Sequence, residues 1–143
     1  MLRLARLLCI AFLLLAASAR AETATISLTT ELGTHLLTVE IADTSETRAR
    51  GLMHREDFGG DDAILFVFPK AGQLYFWMKN TPVSLDIIFF DDKGIWLNTH
   101  SHTKPFSINS LPSRGFSQYV LELPAGRASR LGIGQGSVVK RLE

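Results

Sequence analysis

The stretch FWMKNTPVSLDIIFF, residues 76–90, places a polar break and an internal carboxylate between apolar segments. Pro82 lacks a backbone donor and disfavours helical geometry at Thr81, so the break predicts a turn between two strands. In the second strand the residues of both faces are apolar apart from Asp86. A strand that is apolar on both faces is typical of the centre of a sheet. We therefore expect a central strand in which Asp86 is at least partly buried.

Alternating apolar residues predict strands along most of the remaining chain. Strands are predicted at 25–31, 35–42, 64–68, 73–79, 83–91, 95–98, 118–123 and 137–142. A short helix is predicted over 44–56, with Asp43 and Glu46 as its capping box, and one helical turn over 127–132. Residues 99–117 are polar and are predicted to be irregular. The predicted fold class is mainly β, or α+β: a single compact antiparallel sheet, curled toward a barrel, with one or two short helices packed on it.

The first 21 residues have the features of a secretory signal peptide. Arg3 and Arg6 precede an apolar run at 7–17, and residues 19–21 form a small-residue cleavage site. The run is too short to span a bilayer, which needs ~20 apolar residues. We expect cleavage after this site, so that no stable membrane anchor remains and the protein is periplasmic or secreted. Residues 22–143 then form a single β-rich domain.

The charge and the motifs of the predicted mature domain exclude several classes of function. Of 15 basic residues, removal of Arg3, Arg6 and Arg20 leaves twelve against fourteen acidic ones, a net charge of −2. Nucleic-acid-binding proteins need a basic surface, so no nucleic-acid partner is predicted. Cys9 leaves with the signal peptide, and the domain must fold without disulfides. The segment GIGQG, residues 132–136, has no following helix to bind a dinucleotide, and no cofactor is predicted.

Asp86 is the strongest candidate for a functional residue, and two interpretations of it stay open. A buried carboxylate requires hydrogen-bond donors, and the turn at Asn80 and Thr81 lies nearby in the sequence. In one interpretation Asp86 only stabilises this turn. In the other, a polar pocket is lined by Arg50, Asn80, Thr81 and Asp86, with Trp77 as its flat apolar wall. Such a pocket suits a small polar ligand such as a sugar.

Catalysis and metal binding are the alternative functions. Asp86 could act with Glu122 or with a histidine as the acid–base pair of a hydrolase. His100 and His102 would share one face of a strand and could begin a metal site, although no third ligand is identifiable. The methionines Met53 and Met78 suit copper(I), but both stand at positions where methionine usually fills space in a core.

Several motifs follow one another in the order of a known family. RGLM at 50–53, FWMKNTP at 76–82 and LDIIF at 85–89 resemble domain-of-unknown-function family 192, and YVLELPAG at 119–126 and LGIGQG at 131–136 match its C-terminal part. The resemblance covers roughly residues 35–142. It implies a small, frequently exported β-rich domain without an established activity. Two departures are Ala63-Ile64, where members often carry Gly-Met, and Gly136-Ser137, where they often carry Gly-Asp.

The residues and the resemblance together predict an exported binding or accessory domain. Its expected ligand is a carbohydrate or another component of the cell envelope. Protein partners and oligomeric state are not indicated by any pattern in the sequence.

Overall fold

The computed structural model describes residues 21–142, so all of the predicted signal peptide except Ala21 lies outside the described residues. Within this range the chain forms seven strands and two short helices. They are β1 (Thr23–Thr30), β2 (Gly33–Ala42), α1 (Ser45–Arg50), β3 (Ile64–Phe76), β4 (Leu85–Phe90), β5 (Trp96–His100), β6 (Leu111–Pro124), α2 (Arg127–Arg130) and β7 (Val138–Arg141). Neither of these helices has the length and apolar character needed to cross a membrane.

All seven strands belong to one sheet with the order β5-β4-β6-β3-β2-β1-β7. Within residues 21–142 every strand pairing is antiparallel except that of β2 with β3. The sheet curls until its two edges touch, since Ile95 before β5 forms a bridge with Val138 of β7. Two backbone hydrogen bonds support this contact, from Trp96 to Ser137 and from Val139 to Gly94. The predicted fold class, a mainly antiparallel sheet curled toward a barrel, is confirmed.

The two longest strands correct the sequence-based boundaries. β3 is one thirteen-residue strand where two strands were predicted, and β6 takes in residues 111–117, which were predicted to be irregular. Their pairing shifts register between Val67 and Gly72 and again between Gln73 and Tyr75. Such irregularities break the alternation of side chains while the backbone pairing continues. The period-2 signal is therefore lost in a segment that is still part of the sheet.

Strand β4 is not the middle strand but an interior one, between β5 and β6, and it is buried along its whole length, as its apolar pattern predicted. Ile88 and Phe90 face a first core, which is built from six strands and α2, whereas Ile87 and Phe89 face a second core on the other side of the sheet. Each fully buried side chain of this size stabilises the fold by roughly 1.5–3 kcal/mol. Residues 52–58 and 76–83 pack over the second core, and the candidate site lies beside these two segments.

Helix α1 is shorter than predicted and has a different cap. Thr44, not Asp43, is the N-cap residue, and its hydroxyl accepts a hydrogen bond from the backbone N–H of Thr47 while the Thr47 hydroxyl accepts one from the Thr44 N–H. The helix ends at Arg50 because Gly51 has a φ of +46°, a conformation that side chains rarely adopt. A Cβ atom at Gly51 would also lie only 3.3 Å from the ring of Phe66, so the ring leaves little room for a side chain at this position.

Candidate functional site

Asp86 lies in a sealed interior. Its side chain is 0% exposed, and each carboxylate oxygen accepts one backbone hydrogen bond: Oδ1 from His102 at 3.0 Å and Oδ2 from Ala128 at 2.9 Å. These donors differ from the expected ones, because neither Asn80 nor Thr81 bonds to Asp86. The carboxylate therefore ties the loop after β5 and the start of α2 to β4. This geometry gives Asp86 a structural role, but not the expected one of stabilising the turn at Asn80 and Thr81.

The turn residues of the predicted pocket bond to other parts of the backbone instead. The Thr81 hydroxyl donates to the Lys79 carbonyl at 3.0 Å, and the Asn80 carbonyl accepts from the backbone of His54 at 2.8 Å. Asn80 has a φ of +53°, which suits its place in a tight turn. Of the five residues predicted to line a pocket, the structure brings Arg50, Trp77 and Thr81 to one cavity and leaves the other two outside its lining.

This cavity has a volume of about 390 Å³ and lies between α1 and residues 76–81. Small-molecule sites are typically concave, mostly apolar and of about this size. We call the exposed part of its lining, which includes Arg50, Trp77 and Lys79, the mouth of the cavity, and the buried part its inner part. The lining consists of Arg48, Ala49, Arg50, Gly51, Leu52, Met53, Phe66, Phe68, Tyr75, Phe76, Trp77, Met78, Lys79, Thr81, Leu85 and Glu122.

Glu122 is the unusual member of this lining. Its side chain belongs to β6 on the face of the second core, where it stands opposite Ile64 of β3 and Ile87 of β4. Only 4% of the residue is exposed, and its Oε2 has no hydrogen-bond partner within residues 21–142. Burial raises the pKa of the Glu122 carboxyl to about 8. At pH 7 the inner part of the cavity therefore presents a protonated carboxylic acid, which both donates and accepts a hydrogen bond.

The three cations of the lining are in different situations. Arg48 donates to the carbonyls of Asp43 and Val67 and lies 5.1 Å above the ring of Phe68, so its guanidinium is already engaged. Lys79 stands 5.1 Å from the centroid of the Trp77 ring. Arg50 is exposed, and within the described range its guanidinium makes no side-chain hydrogen bond or salt bridge. Within the described range, the side-chain nitrogen donors of Arg50 and Lys79 thus have no hydrogen-bond partner, although Lys79 also contacts the Trp77 ring.

The two methionines considered as soft metal ligands also line this cavity, together with Glu122. Met78 is buried in the second core and Met53 is half-buried. The histidines do not join them. His100 bonds to the Pro112 carbonyl, whereas His102 lies beside Gly126. No group of three His, Cys, Asp or Glu side chains that could bind a metal occurs in residues 21–142.

Comparison with family models identifies the family of the chain. The family model described as "Uncharacterized ACR", domain-of-unknown-function family 192, matches residues 27–141. The chain belongs to this family. The match confirms the resemblance seen in the sequence and extends it on the N-terminal side into β1. No curated protein matches the chain.

Two solved structures of similar fold add relatives but no activity. One is a protein from Sinorhizobium meliloti 1021 with a provisional description as a transcription regulator; it is 36% identical, with a TM-score of 0.80 over 85% of this chain and 95% of that one. The other is a protein of unknown function from Novosphingobium aromaticivorans DSM 12444. It is 32% identical, with a TM-score of 0.81 over 87% of this chain and 89% of that one.

Glu122 carries the same sequence signal that singled out Asp86. It is flanked by Leu121 and Leu123 in an apolar strand, as Asp86 is flanked by Leu85 and Ile87. The sequence had suggested Glu122 only as an acid–base partner of Asp86. The two carboxyl groups differ because segments remote in the chain give Asp86 two hydrogen-bond donors and place Glu122 beside a cavity.

Proposed function

We propose that the protein is an exported binding domain that holds a small ligand in the cavity between α1 and residues 76–81. The observation that carries this proposal is the buried Oε2 of Glu122, which has no partner in the described chain and belongs to the cavity lining. A buried polar atom without a hydrogen bond costs about 1–3 kcal/mol. A fold that retains this cost beside a cavity gains from a ligand that supplies the missing hydrogen bond.

A carbohydrate of the cell envelope is the ligand class that we propose first. Each sugar hydroxyl donates and accepts, which matches the two hydrogen bonds that a protonated Glu122 offers. Trp77, 49% exposed at the mouth, supplies an apolar ring surface for the C–H face of a sugar. Asp86, whose oxygens are both occupied, takes no part in this binding.

The proposal is tested by titrating the purified protein with monosaccharides while recording ¹H–¹⁵N NMR spectra. Saturable shifts confined to the residues of the cavity lining are expected, and Trp77→Ala should weaken binding by tenfold or more. Phe116→Ala is the matched control, since Phe116 is an exposed aromatic residue of β6 outside the lining. Binding that survives Trp77→Ala unchanged, or shifts that map elsewhere, would overturn the proposal.

Export and the absence of a nucleic-acid partner belong to the same proposal. Export rests on the signal-peptide pattern of residues 1–21. The net charge of −2 for the mature domain does not favour the regulatory role by which the Sinorhizobium relative is described. Detection of the protein in a periplasmic fraction, cut after Ala21, tests the export directly.

A hydrolase is the second candidate, with Glu122 in place of Asp86 as its acid. A pKa of about 8 keeps the Glu122 carboxyl protonated at neutral pH, as a general acid requires. The pairing of Asp86 with Glu122 is not formed, because the two side chains point to opposite faces of the sheet. Release of nitrophenol from nitrophenyl glycosides, lost in Glu122→Gln, would favour this candidate over simple binding.

A further inference from the structure

The charges around the cavity are unevenly distributed. Arg50 and Lys79 stand at its mouth, while the one carboxyl group of the described lining, that of Glu122, is buried within it. No acidic side chain of the described lining accompanies the two cations. The mouth therefore attracts anions, and the inner part offers a neutral hydrogen-bonding group among apolar walls.

We infer that the cavity selects an acidic sugar, whose anionic group binds Arg50 and Lys79 at the mouth while a hydroxyl binds the Glu122 carboxyl inside. This inference rests on the proposed function and narrows its ligand class. A guanidinium binds a carboxylate or phosphate through two parallel hydrogen bonds, which are stronger than those between neutral groups. A neutral sugar would gain the contact with Glu122 but would leave Arg50 without a partner.

Protonation of Glu122 matters because its ionised form would meet no compensating charge. Glu122 is paired across the sheet with Ile64 of β3 on one side and Ile87 of β4 on the other. Beyond them lie Glu40, which is paired with Arg55 at 2.8 Å, and His100.

Four other charged groups complete the surroundings of Glu122. Arg48, on α1, is engaged with backbone carbonyls, and Arg50 and Lys79 are at the mouth. Asp86 of the neighbouring strand faces the opposite side of the sheet. An ionised Glu122 would also repel an acidic ligand, so binding should weaken as Glu122 loses its proton.

Calorimetric titration with glucuronate, glucose 1-phosphate and glucose, at pH 6.5 and pH 9, tests this inference. The wild type should bind at least one of the two acidic sugars tenfold or more tightly than glucose at pH 6.5. If only the protonated form binds, affinity for that acidic sugar at pH 9 should fall by about tenfold. A difference in affinity between glucuronate and glucose 1-phosphate then identifies which anionic group, carboxylate or phosphate, binds better at the mouth.

Variants separate the two ends of the site. Arg50→Gln should weaken binding of the acidic sugar several-fold and leave that of glucose unchanged, because only Lys79 then remains for the anionic group. Arg114→Gln, which changes an exposed arginine outside the lining, should alter the affinity for neither sugar. Glu122→Gln keeps a neutral hydrogen-bond donor and acceptor at both pH values. Its affinity for the acidic sugar should therefore be the same at pH 9 as at pH 6.5. Melting temperatures within a few degrees of the wild type confirm that each variant is folded.

The possible results distinguish the inference from the proposed function. Equal affinities for glucose and both acidic sugars would overturn the inference while sugar binding itself stands. An affinity for the acidic sugar that is independent of pH, or that Arg50→Gln leaves intact, would overturn it as well. Absence of binding by all three sugars would refute the carbohydrate proposal and the inference together.

Discussion

Asp86 and Glu122 belong to neighbouring paired strands but lie on opposite faces of the sheet. Asp86 stands opposite Leu123, and Glu122 stands opposite Ile87. Adjacent residues of a strand alternate between faces, so Asp86 faces the first core and Glu122 the second. One carboxyl group has both oxygens bonded to backbone N–H groups, and the other has an oxygen without a partner in the described chain. This difference in environment assigns a structural role to Asp86 and makes Glu122 the candidate for function.

The raised pKa of Glu122 predicts that it makes the protein less stable as the pH increases. Its pKa is about 8 in the folded protein against an ordinary value of 4.5, so between these values the folded chain holds a proton that the unfolded chain has released. The free energy of unfolding should therefore fall by about 1.4 kcal/mol per pH unit through this window, relative to a Glu122→Gln variant. Urea unfolding of both proteins at pH 5, 6, 7, 8 and 9 measures this difference.

The comparison with Glu122→Gln is needed because other groups of the protein also titrate. Their contributions are common to both proteins and cancel in the difference. Above pH 8 the difference should become constant, since Glu122 is then ionised in both the folded and the unfolded state. Parallel stability curves from pH 5 to pH 9 would contradict the assignment of a raised pKa to Glu122.

Asp86→Asn should destabilise the protein without changing the cavity. An asparagine at this position turns one oxygen into an NH₂ group, which would face the N–H of either His102 or Ala128. Leaving a buried donor unsatisfied costs about 1–3 kcal/mol, which urea unfolding will detect. Asp43→Asn, at an exposed position, is the control and should have little effect. A wild-type unfolding midpoint for Asp86→Asn, combined with weaker ligand binding, would instead restore the pocket interpretation of Asp86.

The sequence was sufficient to predict the sheet and the burial of Asp86. The apolar residues on both faces of β4 indicated a central strand, and the structure buries all six of its residues. The long continuation of β3 and β6 was missed, because register shifts at Val67 and Gln73 remove the alternation on which strand prediction depends.

The site was only partly predictable because its contacts are made across long distances in the chain. The donors to Asp86 are 16 and 42 positions away, at His102 and Ala128, so sequence proximity pointed wrongly to Asn80 and Thr81. Arg50 and Trp77 were placed in a common pocket by motif and residue type, and they do line one cavity. Nothing local indicated that Glu122 would meet that cavity.

The capping box of α1 should contribute measurably to stability although the helix is short and exposed. Thr44 accepts a hydrogen bond from the Thr47 N–H at 3.1 Å, and α1 contains no buried residue that could compensate for its loss. Thr44→Ala should lower the free energy of unfolding by about 1 kcal/mol. Ser45→Ala, at the next exposed position, is the matched control. Equal unfolding midpoints for the two variants would show that the cap is not needed to hold α1, which carries Arg50.

The contact between the edges of the sheet should depend on Gly94. Its φ is +76°, and a Cβ atom there would overlap the backbone oxygen of Val139, whose N–H donates to the Gly94 carbonyl at 2.8 Å. Gly136→Ala is the control, because Gly136 has a φ of +86° but nothing within 4 Å of a Cβ atom. The control should lose about 1–2 kcal/mol through its backbone conformation alone. Gly94→Ala should lose more, and hydrogen exchange at the Val139 amide should accelerate selectively. Equal losses in the two variants would show that the sheet edges do not need this close approach.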